Sequence, residues 1–330
     1  LLSSSRAFFV LSLLKNSSSL MAKYYALIAG LPNLSLEQQK PPYTQDEFYA
    51  ELEEILSKKD LALLDWLRLE QSNKELIRLY RAGAFEPMPE GQEDFEEEDD
   101  AETLLPIREL RRIATLARQG EWVRKSELLS YYMLAFVRER YYEPSEADAD
   151  TEGSRPLSPL SDEDRLAQLY YNAAVNSKNE FVASWFRFNQ ILRNLLALFT
   201  CRRLDWEPRQ YLVGDDEITE KLLTSKAKDF DLSEEVPYIS SLITIAEETD
   251  IAKRERMIDA LRWRWLEDET DWTVFDIENV LSYYLRLGII ERWDALDKEK
   301  GAEVFRQIVM GLKAESNASL SEFKLKANRK

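Results

Sequence analysis

The sequence predicts an all-α fold, and three observations carry that expectation. Apolar side chains recur at helical spacing along most of the chain, capping patterns precede several of those runs, and only 9 glycines and 11 prolines occur in 330 residues, too few for a turn-rich β-sandwich. With 45% hydrophobic side chains the chain can bury a core, as one large domain or as two or three small ones.

Taken in order, residues 1–20 hold Arg6, the apolar run Ala7 to Leu14 and a serine cluster. The run is too short for a clean leader, and residues 1–20 are expected to be an upstream or non-native extension ahead of a start at Met21-Ala22-Lys23. Thr44-Gln45-Asp46-Glu47 is a capping box that opens a helix to about Ser57. A second helix, with Leu64, Leu67, Leu76 and Leu79, runs to Gly83 and is expected to form a hairpin with the first. Leu105 to Ala117 restarts the pattern before Gly120, and a helix follows from about Arg124 to Tyr141. These elements make an N-terminal helical lobe over 21–143, interrupted by an acidic insertion at 86–102. An acidic, proline-containing linker follows at 144–160.

Ser161-Asp162-Glu163-Asp164 caps the C-terminal helical region, 161–314, whose pattern hardly breaks as far as Arg203. Within it Phe181, Trp185, Phe188, Leu192, Leu195 and Phe199 are spaced 4, 3, 4, 3, 4, a stripe that only a helix puts on one face and that reads as core. Asn189 and Asn194 interrupt the stripe and, if buried, need partners. Further helices are expected at Asp216–Ser225, from the cap Asp231-Leu232-Ser233-Glu234 through Glu248, and at Ala252–Glu267 with Met257, Leu261 and Trp265 on one face. Thr273-Val274-Phe275-Asp276 caps another, which Gly288 ends, and a last helix spans Lys300–Ala314 before a polar tail, 315–330. Trp263, Trp265, Trp272 and Trp293 are read as inter-helix packing. The single short strand candidate is Tyr211-Leu212-Val213.

The formal charge is −17, from 44 basic and 61 acidic side chains. Two segments account for all of it: Glu86–Glu102 has ten carboxylates and no base, and Glu143–Asp164 has eight against Arg155 alone. Such blocks read as solvated loops or as docking tails for a basic partner. The remainder is neutral, and its bases are interspersed with acids, which argues against nucleic acid as a partner. Arg108, Arg111, Arg112 and Arg118 cluster on one helix, as a solvated face or a partner patch.

The chain has no histidine and one cysteine, Cys201. That removes His-based general bases, His-containing triads and mixed Cys/His zinc sites, rules out an internal disulfide, and fits a reducing, cytoplasmic setting. Cys201 is read as structural despite Arg202 and Arg203 beside it. No two glycines lie within seven residues of each other, so no phosphate-cradling loop exists. Asp148 to Gly153 imitates half of a calcium loop, but Pro159 stands where its bidentate glutamate belongs. No catalytic group, cofactor site or metal site is therefore expected, and no apolar run approaches the roughly 20 residues that span a bilayer.

Several segments do carry a resemblance. Met21 through Pro32, Asn194 through Cys201-Arg202-Arg203 to Leu212-Val213-Gly214, and Ala227-Lys228-Asp229-Phe230-Asp231-Leu232-Ser233 resemble a bacterial family of unassigned proteins related to the C subunits of V/A-type ATPases. So do Trp263-Arg264-Trp265-Leu266-Glu267 and Ile289 through Asp297, and the likeness covers roughly Met21 to Lys313. The acidic block at 86–102 lies outside that pattern.

The resemblance implies a multi-lobed helical bundle, a funnel-like arrangement of three related helical lobes. It implies a non-catalytic central-stalk connector between the membrane rotor ring and the central shaft, transmitting torque for proton or sodium transport. Such a protein sits in the cytoplasm, peripheral on the inner membrane through the complex, with no small-molecule substrate. Asn194, Arg202 and Arg203 are the expected polar partner contacts, with capping and internal hydrogen bonding of the long helix as the other reading. Two competing functions are a general helical scaffold or adaptor, and a histidine-free enzyme using carboxylates.

Overall fold

The computed structural model of the protein describes residues 24–86, 105–126, 129–142, 160–273 and 275–296. Among these residues all regular structure is helical, in an all-α bundle. The helices are α1 (24–30), α2 (Gln45–Ile55), α3 (Lys58–Arg81), α4 (Ile107–Arg118), α5 (Tyr131–Tyr141), α6 (Asp162–Ala174), α7 (Glu180–Leu204), α8 (Glu217–Thr224), α9 (Ile239–Glu247), α10 (Ile251–Thr270) and α11 (277–296). None of them is long and apolar enough to cross a membrane. The chain divides into two units, one of Leu1–Lys58 with Asp259–Lys330, the other of Lys59–Ile258. The division separates α2 from α3, the pair expected as a hairpin.

In the second unit the helix ends follow from local chemistry. α3 and α4 both close on a glycine in the left-handed region, Gly83 (φ 72) and Gly120 (φ 75). The paired bonds Ala84 N to Leu79 O (3.0 Å) and Gly83 N to Tyr80 O (3.0 Å) close α3, and Glu121 N to Leu116 O (2.9 Å) with Gly120 N to Ala117 O (3.1 Å) close α4. Ser161 Oγ accepts from Asp164 N to cap α6, Asn179 Oδ1 from Val182 N to cap α7, and Asp216 Oδ1 from Thr219 N to cap α8. α4 packs on α5, α5 on α6, α6 on α7, and α7 on α8 and α9. An aromatic cluster ties α3 to this row: Trp66 stacks on Tyr132 (6.0 Å) and Tyr170 (6.1 Å), and Tyr80 meets Phe136 edge-on (5.7 Å). Burying rings of this size, about 2 kcal/mol or more each, outweighs the intrinsic propensity of any one helix.

The first unit joins α2 to α11 and the end of α10. Thr44 and Glu47 form the expected reciprocal capping box at the start of α2. The Tyr43 hydroxyl donates to the Tyr283 hydroxyl (2.9 Å), Gln45 Nε2 donates to Tyr284 O (2.9 Å), and Gln45 N donates to Glu291 Oε2 (3.0 Å). Asp259 is buried, pairs with Arg292, and accepts from Trp293 Nε1 at 2.7 Å.

Several expectations are corrected. Tyr211–Val213 is not a strand: the Val213 amide and carbonyl are both taken by the Asn194 side chain, and no strand pairs with it among the described residues. The expected helix from Arg124 begins only at Tyr131, because Ser126 Oγ reaches Glu109 and Trp122 lies under the Arg138 guanidinium, 3.3 Å from its ring centroid, holding 121–126 as a loop. The run from Asp162 to Arg203 breaks at 175–179, where Asn176 and Asn179 bond locally instead of continuing the helix. Asp231 does not cap a helix: Phe230, Leu232 and Val236 are buried on a loop of turns, Phe230 and Asp231 both have φ 58, and α9 starts at Ile239. Gly288 does not end α11, which continues through it to 296. Trp272 is 90% exposed on the α10–α11 turn rather than packed. The extension at 1–20, the acidic residues 87–102, the linker with its calcium-like stretch, and the expected helix and tail from Lys300 onward lie outside the described residues.

Candidate interaction surface

α7 has 25 residues, about 37 Å of helix at 1.5 Å per residue. Phe181, Trp185, Phe188, Leu192 and Leu195 are buried along it, and Phe199 is half-buried against Phe230, with ring centroids 6.5 Å apart. Trp263, Trp265 and Trp293 are buried in the first unit or at its edge. α7 stops at Leu204 because Asp205 turns left-handed (φ 57, ψ 43), a conformation that Asp tolerates better than most side chains, and Trp206 N donates back to Cys201 O at 2.9 Å.

The chain then returns along α7. A short 3-10 turn, Pro208–Gln210, is capped by the Glu207 side chain, and Tyr211 N closes it on Pro208 O at 3.0 Å. The returning stretch of backbone is pinned by two buried side chains of α7. Asn194 Oδ1 accepts from Val213 N (2.9 Å) and its Nδ2 donates to Val213 O (2.7 Å), while Gln190 Nε2 donates to the same carbonyl (3.1 Å). Asn194 is thus enclosed, satisfied within the chain, and away from solvent. Its partners answer the requirement for a buried amide, and Asn189 likewise donates to Trp185 O at 2.8 Å.

What the loop presents outward is different in kind. Arg202, Arg203, Leu204 (46%) and Trp206 (48%) are exposed, and Trp206 stacks on Tyr211 with centroids 5.3 Å apart and planes 20° apart. The Arg202 guanidinium lies 5.0 Å from the Phe230 ring centroid. Arg209 pairs with Glu220 at 3.2 Å, and Arg203 has no ion-pair partner among the described residues. Beneath them Cys201 is buried; burial pushes its thiol up, with Glu207 adding to the shift, so the neighbouring arginines do not activate it.

Of the three sequence-derived contact residues, the structure places Arg202 and Arg203 on this surface and Asn194 underneath it. Leu204, Trp206 and Tyr211 are not singled out by sequence reasoning; the available signal is an apolar residue and a tryptophan directly after an Arg-Arg helix end. The arginine group on α4 is dispersed: Arg112 pairs with Glu109, Arg118 with Glu86, and Arg111 Nε donates to Ala84 O. No group of three or more His, Cys, Asp or Glu side chains able to hold a metal ion occurs among the described residues.

No curated protein and no solved structure matches the chain. A family model described as a protein of unknown function, DUF2764, matches residues 21–316, which takes in the pinned loop and both units. The chain therefore belongs to the DUF2764 family.

Proposed function

We propose that the protein is a non-catalytic helical scaffold that holds a partner protein against the end of α7 and the loop pinned behind it. One observation carries this reading: exposed Leu204 and Trp206 stand beside Arg202 and Arg203 where α7 ends, ahead of a return that Asn194 and Gln190 pin at Val213. Trp, Tyr and Arg on a preorganised support are the residue types that dominate protein–protein affinity, since little freedom is lost when they are covered. The matching partner surface offers carboxylates to the arginines and an apolar pocket to Trp206.

A narrower form of the proposal rests on the sequence resemblance. In it the protein is the central-stalk connector of a bacterial V/A-type ATPase, a three-lobed funnel between rotor ring and central shaft on the cytoplasmic face of the inner membrane. What favours it is that one resembling segment, Asn194 to Gly214, is the segment that forms this surface.

The test is affinity purification from detergent-solubilised membranes, comparing the wild-type protein with Arg203→Glu and Trp206→Ala. A stoichiometric partner that falls by about tenfold or more with either variant supports the scaffold reading. Rotor-ring and shaft subunits as that partner support the narrower form. Equal recovery with wild type and both variants contradicts both.

A further inference from the structure

Three helices of the second unit end close together, and each brings an arginine. Arg81 is the last residue of α3, Arg118 the last of α4, and Arg140 lies in the last turn of α5. With Tyr80, Glu86 and Tyr141 they line one cleft of about 540 Å³. Three guanidinium groups and one carboxylate thus line a single cleft.

The guanidinium groups are not idle. Arg81 pairs with Glu163, Arg118 Nη2 with Glu86 Oε2 at 2.5 Å, and Arg140 Nη2 with Asp162 Oδ1 at 2.6 Å. These pairs suit the helix ends, where backbone carbonyls favour cations and the first turn of α6 favours acids. They leave something over. Arg140 has a side chain only 10% exposed and Arg118 one 24% exposed, and each keeps a buried nitrogen, Arg140 Nε and Arg118 Nη1, with no hydrogen-bond partner. An N–H removed from water without a partner forfeits its solvation, and both guanidinium groups are packed over rings beside the cleft, Arg118 4.5 Å from the Tyr141 centroid and Arg140 5.3 Å from that of Phe136.

We infer that this cleft binds a compact phosphate group, a phosphomonoester or diphosphate, between Arg81, Arg118 and Arg140. Planar guanidinium forks match phosphate oxygens two at a time, and a cleft of this size admits a small phosphorylated molecule rather than an isolated ion. Glu86 is the internal stand-in: it follows the Gly83 turn, its side chain is 57% exposed, and it occupies Arg118 until a dianion replaces it. Tyr80 and Tyr141 stay protonated, Tyr141 hydrogen-bonded to Glu86. Burial raises both hydroxyls, Tyr141 to about 12 with Glu86 assisting.

The phosphate has two sources, a soluble molecule or a lipid headgroup, and the assay separates them. Binding of pyrophosphate to the full chain is measured by calorimetry against potassium chloride of equal ionic strength. Binding of phosphatidylcholine vesicles with and without phosphatidic acid is measured by sedimentation. Arg118→Gln and the rim variant Arg81→Gln, each checked for an unchanged circular dichroism spectrum, should weaken binding by about tenfold. Glu86→Gln, which removes the internal competitor, should tighten it. Saturable pyrophosphate binding that follows this pattern supports the site with a soluble ligand, and phosphatidic acid binding alone that follows it supports the site with a lipid ligand. Absence of both, or binding that Glu86→Gln and the arginine variants leave unchanged, overturns the inference.

Discussion

The Gln45 side chain fills the room left by the missing Cβ of Gly288. A Cβ there would lie 2.7 Å from Gln45 Cδ and 2.9 Å from Oε1, and the Gln45 amide uses that room to donate to Tyr284 O at 2.9 Å. Gly288 is therefore a packing residue inside α11. Alanine at a helix interior normally stabilises by about 0.5–1 kcal/mol over glycine. Here Gly288→Ala should yield no gain in the wild-type background, because Gln45 must leave its carbonyl. In a Gln45→Ala background the same change should stabilise by about 1 kcal/mol. Urea denaturation of the four proteins measures this coupling.

Asn194 serves both polar groups of Val213, so its removal orphans the buried Val213 amide and leaves the carbonyl with Gln190 Nε2 alone. Asn194→Ala should destabilise by about 2–4 kcal/mol. Asn194→Asp keeps an acceptor for the Val213 amide but turns an oxygen toward the Val213 carbonyl, and should be no better tolerated. Because the same bonds pin the loop that bears Trp206, proteolysis within 205–216 should accelerate in both variants.

Asp259 is a buried carboxylate held by Arg292 and Trp293, with Arg262 Nη1 3.6 Å from its second oxygen. Asp259→Asn leaves those arginines without their counter-charge and should cost about 3 kcal/mol in urea denaturation. The double variant Asp259→Leu with Arg292→Met removes both charges and should recover most of that loss.

Tyr43, Tyr132, Tyr170 and Tyr283 all have hydroxyls pushed upward, in each case chiefly by burial. A group whose folded value lies above its unfolded value of about 10 stabilises fully below that pH and progressively less above it. Stability should thus hold from about pH 7 to 9 and fall as pH rises beyond about 10. Tyr132→Phe, which gives up the bond to Asn73 Oδ1 (2.7 Å), should be weaker at neutral pH yet lose less of its stability on the alkaline side.

Those features differ in how far the sequence discloses them. The cap of α2, the stops at Gly83 and Gly120 and the buried face of α7 depend on neighbours within about two turns, so spacing alone reveals them. The loop at Phe230 looks helical in pattern because its buried apolar residues, Phe230, Leu232 and Val236, sit on tight turns that mimic the helical period, whereas the break at 175–179 is short and holds no buried residue. Gly288 looks like a stop because the residue that requires its missing Cβ, Gln45, is 243 positions away. The interaction surface is half legible. Arg202 and Arg203 mark a helix end, whereas the exposure of Trp206 and the enclosure of Asn194 follow from a chain reversal that no local pattern encodes.

The most direct test of the scaffold reading places a photo-crosslinking amino acid at position 206 in living cells, with the exposed position 251 as control. One dominant partner adduct is expected at 206, absent at 251 and lost when Arg203→Glu is added. Equal adducts at both positions, or an adduct at 206 that Arg203→Glu leaves intact, would contradict that reading.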